Sequence, residues 1–365
     1  MPGILERPFF RVYIVPGAVF QSIMVGGGYG TGREVVEYFT SFGATGGLFA
    51  MAAAFAILSL VIATSFEFSR YLCAYDYRSF FKHLLGRGWI AFEVLMILLF
   101  LLILAVLGSA SGNILRDNFG LPYVAGLSIM LAMIGVLTFY GRVLIEKALT
   151  FWSFFLYAVF IAFFVSIFSD EDTSLTSALE IVGTRDGWLS SGAKYALYNL
   201  AVVPLLLYVA RGFESRTQAL RSGVIAASIA MTPAVLFHLA FLTAWPDILD
   251  ENIPAYWLMT RQGFTPLVAV FSVMLFGTFI ETGAGMLQGI NERIDGYLLE
   301  RGSASLSPGA RALIAVSAIL VSAGLSSWGI TNLIAKGYGM MAWGFLAVYV
   351  VPLMTFGVRR ILKQG

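Results

Sequence analysis

Few residues in this sequence can do chemistry, and those few sit in apolar surroundings. Glu281, in LFGTFIETGAGMLQG, has no other charge near it; Thr278 shares its helical face at i−3 and Thr282 follows it. A carboxylate flanked by hydroxyls can hold a monovalent cation or accept a proton. In hydrocarbon a charge costs several kcal/mol unless it is paired, wetted or occupied, so the other role open to Glu281 is that of structural partner to a buried Lys or Arg. Far upstream, VYIVPGAVFQSIMVGGGYGTGREVVEYF holds five glycines between Gly26 and Gly32, with Arg33 and Glu34 directly behind them. Each glycine costs a helix about 1 kcal/mol, so no stable helix runs through this stretch. An unwound middle, with half-helices ending near Met24 and restarting near Thr31, offers carbonyls to a cation and amides to an anion. Close helix packing is the competing reading, but it needs two small residues four apart instead of a dense cluster. A third constellation lies in GAKYALYNLAVVPLLLYVARG, where Asn199 precedes Pro204. The missing N–H of the proline releases a carbonyl of the preceding turn, giving either a second discontinuity or a kink.

The elements that position these groups follow from composition. Of 365 residues 59% are apolar and 12% charged, and mean hydropathy is +0.83. Soluble domains carry roughly a quarter charged residues, so a water-soluble fold is excluded. Apolar stretches of about 20 residues match an α-helix crossing the bilayer, and they do not alternate as barrel strands do. We expect an all-α polytopic membrane protein of ten spans, about 11–38, 46–72, 88–115, 122–140, 143–168, 190–210, 223–245, 264–290, 308–329 and 336–357. No linker divides them, so residues 1–365 read as one transmembrane domain. One alternate set of connections carries 17 Lys/Arg and the other five, which places both termini in the cytoplasm of a bacterial-type inner (cell) membrane. The start has no charged n-region and short apolar core, so the first span is expected to remain in the mature protein. The connection around 169–189 and the segment 246–262, which mixes Pro, acids and aromatics, then face outward, the second as a partly helical gate loop.

Net charge is +2, with no basic run to track phosphates, so nucleic acid is not an expected partner. One cysteine, Cys73, and two histidines rule out intramolecular disulfides and a Cys/His zinc cluster. No HExxH, no GxSxG and no paired carboxylates at helical spacing appear, which counts against a membrane-embedded enzyme. The two break candidates lie five spans apart. Five is odd, so one enters from inside and the other from outside, the pairing of inverted five-helix repeats in secondary transporters. A channel remains the rival reading, since sequence does not separate a carrier from a pore.

Several polar residues carry two readings each. Arg33 and Glu34 can gate a vestibule, bind a substrate carboxylate, or tie helix ends together. Glu67 and Arg70, spaced i, i+3, read as a structural ion pair. His238 can titrate or donate a helix-to-helix hydrogen bond. Ser109, Ser111 and Asn113 lie in LGSASGN, where Gly108 and Gly112 mark a tight helix contact. Tyr29, Tyr195, Tyr198, Phe276 and Phe279 can line a pocket for an amine through cation–π attraction, or merely pack.

The run GGGYGTGREVVEYF, Gly26 to Phe39, resembles the first-helix motif of the LeuT-fold amino acid–polyamine–organocation superfamily, and within it the YkvI-like membrane proteins. Arg33 departs from the uncharged polar residue expected there. The resemblance implies a LeuT-like 5+5 inverted repeat, about 11–168 and 190–357, with helices 1 and 6 broken at Met24–Thr31 and Tyr198–Val203. It implies alternating-access, cation-coupled transport of a small polar solute such as an amino acid, an amine or a related osmolyte, without a cofactor. A substrate site is expected from Gly26, Gly27, Gly28, Tyr29, Gly30, Thr31, Ser109, Tyr198, Asn199 and Phe276. A coupling site for Na+ or H+ is expected from Ser22, Met24, Thr278, Glu281 and Thr282, with Na+ held at Glu281 and Thr282 and gating at Arg33 and Glu34. Lys147, beside Glu146, either substitutes its ammonium for sodium or snorkels at the boundary.

Overall fold

A π-helical turn, Phe10–Ile14, leads into α1 (Val15–Met24), where Pro16 occupies the first turn and needs no amide partner. Helical dihedrals are lost at Val25 (φ −76°, ψ 55°) and Gly26 (ψ −174°). One turn follows, α2 (Gly27–Gly30), closed by the Gly30 N–H donating to the Gly26 carbonyl at 3.0 Å. Thr31 and Gly32 interrupt the chain again before α3 (Arg33–Tyr38). The expected unwound stretch of Met24–Thr31 is therefore two short interruptions around a single helical turn. The restart is at Arg33 because Gly32 adopts φ +78°, which only glycine reaches freely, and the Thr31 hydroxyl is engaged locally with the Gly28 carbonyl at 2.6 Å.

The computed structural model describes residues 7–140, 142–169, 184–263 and 265–363; for residues 27, 118–119, 137–140, 142–154 and 265 it describes the course of the main chain alone. Lys147 and Glu146 fall among the latter, and most of the 169–189 connection falls outside the described residues. Beyond α3 come α4 (Gly43–Leu72), α5 (Tyr77–Leu85), α6 (Trp89–Phe119), α7 (Tyr123–Tyr140) and α8 (Arg142–Phe168). The second half has α9 (Trp188–Asn199), α10 (Arg216–Leu242), α11 (Pro254–Arg261), α12 (Thr265–Glu300), α13 (Pro308–Ser326) and α14 (Ile330–Leu362), the last alternating α and π turns. Side chains fix several ends. Asp76 caps α5 by accepting from Ser79 N–H at 2.9 Å, Ser215 caps α10 through Gln218 N–H at 3.2 Å, and Ser307 caps α13 through Ala310 N–H at 3.2 Å.

All secondary structure among the described residues is helical, and seven of these helices are long and apolar enough to cross a membrane, with three shorter apolar ones beside them. Span 6 differs from expectation. Instead of unwinding it passes from α9 into a 13-residue 3₁₀ helix, Leu200–Gly212, that contains Pro204. The proline cannot donate to the carbonyl one turn back, so the α pattern stops, and 3₁₀ runs of this length are uncommon outside hinges.

Helices α1, α4, α9 and α10 pack against one another, and α6, α7, α8, α12 and α13 form a second group. Close approach rests on small residues. A Cβ at Gly223 of α10 would stand 2.8 Å from that of Ala63 in α4. The Gly108/Gly112 pair serves the expected tight contact, with Gly112 against the Tyr123 ring of α7. The broken turn α2 touches α6 and α12 of the second group, and its Tyr29 ring packs 5.8 Å from Phe237 of α10 in the first, so the interruption sits at the seam between the two groups.

Candidate functional site

The site begins with main-chain groups freed by the interruption. Among the described residues the amides of Gly26, Gly28 and Tyr29 make no hydrogen bond to the end of α1, so the carbonyls of Ser22, Met24 and Val25 have lost their helical partners. Helix α12 faces this end: a Cβ on Gly26 would stand 3.3 Å from Thr282 Cγ2 and 3.5 Å from its hydroxyl. Ser22, Val25, Thr278, Glu281 and Thr282 line a small pocket of about 40 Å3, closed from α8 by Leu156 and Tyr157. The Thr278 hydroxyl donates to Met274 O at 2.8 Å. Glu281 is half-buried and opens onto a larger cavity, which lowers the cost of placing a carboxylate at this depth with no salt bridge among the described residues.

A second pocket of about 40 Å3 lies on the other side of the break. Its polar lining is Glu34, Tyr29, Tyr198, Asn199, Tyr338 and Thr282, and the rest is aliphatic. Glu34 is 5% exposed and accepts a short hydrogen bond from the Tyr198 hydroxyl. Tyr198 also packs on Tyr338, with ring centroids 4.8 Å apart. The absence of a side chain at Gly28 makes room here: a Cβ would stand 2.6 Å from Glu34 Oε1 and 3.5 Å from the Tyr338 hydroxyl.

Both pockets share residues with a cavity of about 740 Å3 that runs between Ser22, Gly26, Glu281 and Thr282 at its inner end and Asp76, Arg78 and Glu300 at its rim. The rim belongs to the face that carries the described C-terminal end, since Arg360 donates to His83 O at 3.0 Å and Lys82 meets Glu300 at 3.0 Å. Arg293 and Glu93 form a buried ion pair in the wall; Tyr77 donates to Glu93 at 2.8 Å and Arg293 stacks 4.1 Å from the Tyr77 ring.

The opposite side is shut. Arg33 points away from the pocket and donates to Leu249 O at 2.7 Å and Glu251 O at 2.9 Å, with Glu37 at 3.1 Å. The Ala255 N–H donates to Thr31 O at 3.0 Å, so the 3₁₀ turn Asp247–Asp250 and α11 clamp the start of α3. In that connection burial, with Asp117 and Asp250 near, holds the Glu251 carboxyl above its usual range, and it is the main-chain carbonyl that serves Arg33.

The structure thus brings together Ser22, Thr278, Glu281 and Thr282 in one pocket, and Met24, Gly26, Gly28, Tyr29, Tyr198 and Asn199 in the other. Met24 lies with the second group, not with the cation candidates. Phe276 lines neither pocket and packs 6.2 Å from Phe279, because its position on α12 turns it away from Glu281. Ser109 is fully buried and lines none of the cavities; Gly30 packs on Leu275, Gly27 contributes main chain to α2, and Thr31 is a local cap accepting from Arg33 N–H at 3.1 Å. His238 bridges helices through Thr40 at 3.1 Å and Ala44 O at 3.3 Å, and Glu67 pairs with Arg70 at 2.8 Å. Sequence reasoning missed Tyr338, Met286 and the rim on α5. Tyr338 stands in Gly337-Tyr338-Gly339, the same triplet as Gly28-Tyr29-Gly30, and that repeat was a readable signal.

No protein-family model matches the chain. It is similar to the uncharacterized membrane protein YkvI of Bacillus subtilis (strain 168), 23% identical over 288 residues that span 77% of this chain and 80% of that protein. Among solved structures it is similar to a Na+-coupled sialic acid symporter in a substrate-bound, outward-open state, with TM-score 0.63 and 14% identity over 93% of this chain and 78% of the symporter. It is also similar to a variant of the Eremococcus coleocola manganese transporter, with TM-score 0.61 and 14% identity over 97% and 81% of the two chains. Both structures are of transporters, not enzymes, and this chain has their fold.

Proposed function

We propose that the chain is a cation-coupled secondary transporter of a small polar solute, working by alternating access on a ten-span plan of two inverted five-helix repeats, about 11–168 and 190–357. The observation that carries this reading is a single dead-ended route. A cavity enters from the basic face, reaches the interrupted helix, Glu281 and Thr282, and stops beneath the closure made by Arg33. A channel needs a continuous path, whereas a carrier needs one side shut while the other is open. The fold shared with a Na+-coupled symporter and a manganese transporter supports the same reading. The Lys/Arg excess on the rim side, 17 against five, makes that side cytoplasmic, so this state opens inward.

Coupling falls to Glu281. The carboxylate, three hydroxyls and freed carbonyls supply the several oxygen ligands that sodium needs, whereas a proton needs the carboxylate alone. Glu281→Gln keeps size and hydrogen bonding and removes the charge. In proteoliposomes it is expected to abolish gradient-driven accumulation while the protein stays monodisperse and still exchanges substrate by counterflow. Wild-type accumulation by this variant, at any sodium concentration or pH, would place coupling elsewhere.

A further inference from the structure

The two charged neighbours Arg33 and Glu34 part company at the start of α3: the guanidinium leaves for the closed side, and the carboxylate turns into the central pocket. Among the described residues no Lys, Arg or His lines that pocket. Among the described residues only the Tyr198 hydroxyl donates to Glu34 in this enclosed space, and an ionised carboxylate so placed is costly until a cation or a proton joins it. We propose that the central pocket binds the primary ammonium head of a small alkylamine, held by Glu34 within a cage of Tyr29, Tyr198 and Tyr338, and that a substrate carboxylate is excluded. This deepens the transporter reading and rests on it for the movement of the bound molecule, though not for its binding.

Three features of the pocket carry the assignment. First, a substrate carboxylate seeking the free amides beside Gly26 and Gly28 or the tyrosine hydroxyls of this pocket would stand next to Glu34, whose Oε1 lies 2.6 Å from where a Gly28 Cβ would be and which already accepts from Tyr198. A second carboxylate there meets like charge. A zwitterionic amino acid therefore gains at its amine and loses at its acid, while a plain amine only gains. Second, the space is small, about 40 Å3, which favours a compact –NH3+ head over a bulkier quaternary one. Third, the remaining wall is Ile23, Leu99, Ile103, Val202 and Met286, an aliphatic sleeve for an alkyl stem. Ile23, Gly26, Thr282 and Met286 are shared with the large cavity, so the stem leads out along the entry route. The ammonium donates to Glu34 Oε1 and to the neighbouring tyrosine oxygens, and the ring faces add cation–π attraction.

The test uses purified full-length protein in detergent, with n-butylammonium as probe and leucine, butyrate, tetramethylammonium and sodium chloride at equal ionic strength as controls. Binding is read by calorimetry and by thermal shift. Butylammonium is expected to bind saturably and leucine, butyrate and tetramethylammonium not to, while any response to sodium chloride is expected to persist in Glu34→Gln, because the sodium ligands stand at Glu281. Glu34→Gln, isosteric and still able to meet the Tyr198 hydroxyl, is expected to weaken butylammonium binding by about tenfold or more, as removal of a charged hydrogen-bond partner does. Tyr338→Phe keeps the ring and is expected to weaken it by a few fold, which covers the case in which the Glu34 variant fails to fold. Leucine binding as tightly as butylammonium, undiminished binding by both variants, or no binding of butylammonium to wild type would each overturn the assignment. Counterflow in proteoliposomes separates the two readings: leucine exchange without butylammonium exchange sinks this inference and keeps the transporter, whereas saturable butylammonium binding with no exchange supports this inference and sinks the transporter.

Discussion

The two ends of the solute route are closed and opened by different chemistry. At the shut end one guanidinium reaches two main-chain carbonyls of the 246–262 connection, and a main-chain bond joins Ala255 to Thr31. At the open end the wall is stitched by side-chain charges: Arg293 with Glu93, Arg78 with Glu300, and Lys82 with Glu300. A guanidinium paired with Glu37 on its own helix and reaching loop carbonyls forms a clamp that depends on the position of one loop, so it can release as a unit. Ion pairs between helices hold a shape regardless of whether the route is open, and their worth depends on burial. The comparison teaches that the Arg33 end is built as a latch, whereas the rim end is built as a frame.

The largest effect expected is on the frame. Arg293 is 6% exposed and Glu93 9%, and removing one member of a buried pair strands the other. Arg293→Ala is expected to cost about 3–5 kcal/mol of stability, and pairing it with Glu93→Gln is expected to recover most of that loss. Thermal unfolding in detergent measures both. If Arg293→Ala unfolds no earlier than wild type, the wall is not a frame and the contrast with the latch collapses.

The latch comes next. Hydrogen bonds to a charged group are worth about 1.5–3 kcal/mol each, so losing those of Arg33 shifts the open–closed balance by at least tenfold. In a Cys73→Ser background, Asn199→Cys reports entry to the central pocket, and Arg33→Ala is expected to raise its labelling by a membrane-impermeant thiol reagent added from the Arg33 side by about that factor. Arg33→Lys, with the charge but without the fork, is expected to fall between. Labelling that does not change would show that α11 alone seals this side.

Much of this plan was legible beforehand, for reasons that can be named. The glycine cluster announced the interruption because its helix cost is local, and Glu281 with Thr282 announced its partner helix because a charge in an apolar run has nowhere to hide. The opposite fates of Arg33 and Glu34 were not legible: adjacent residues on a helix differ by about 100° of rotation, and which one faces the pocket depends on where α3 starts, which Gly32 sets through φ +78°. The change of span 6 to a 3₁₀ helix was hidden because Pro204 signals that the α pattern fails without saying what replaces it. Helix α5 went unread because it is short and amphipathic between two obvious spans, although Asp76 with Ser79 N–H is an ordinary start signal. Tyr338 entered the site from a helix otherwise indistinguishable by hydropathy.

The smallest effect expected is at the outer rim, where the frame thins into solvent. Lys82 and Glu300 are 45% and 43% exposed, and such pairs contribute between about 0 and 1 kcal/mol once side-chain entropy and screening are counted. Glu300 also keeps Arg78 at 3.0 Å when Lys82 is lost, so no charge is stranded. Lys82→Ala is therefore expected to leave the unfolding temperature nearly unchanged, and whatever shift remains is expected to vanish in about 0.5 M NaCl, where screening acts within a few ångströms. Arg293→Ala is expected to keep its cost in the same salt, because its partner is buried. The pair of salt titrations isolates burial as the cause of the difference. A salt-sensitive loss in Lys82→Ala as large as that of Arg293→Ala would mean that surface charge, not the buried pair, holds the cavity mouth.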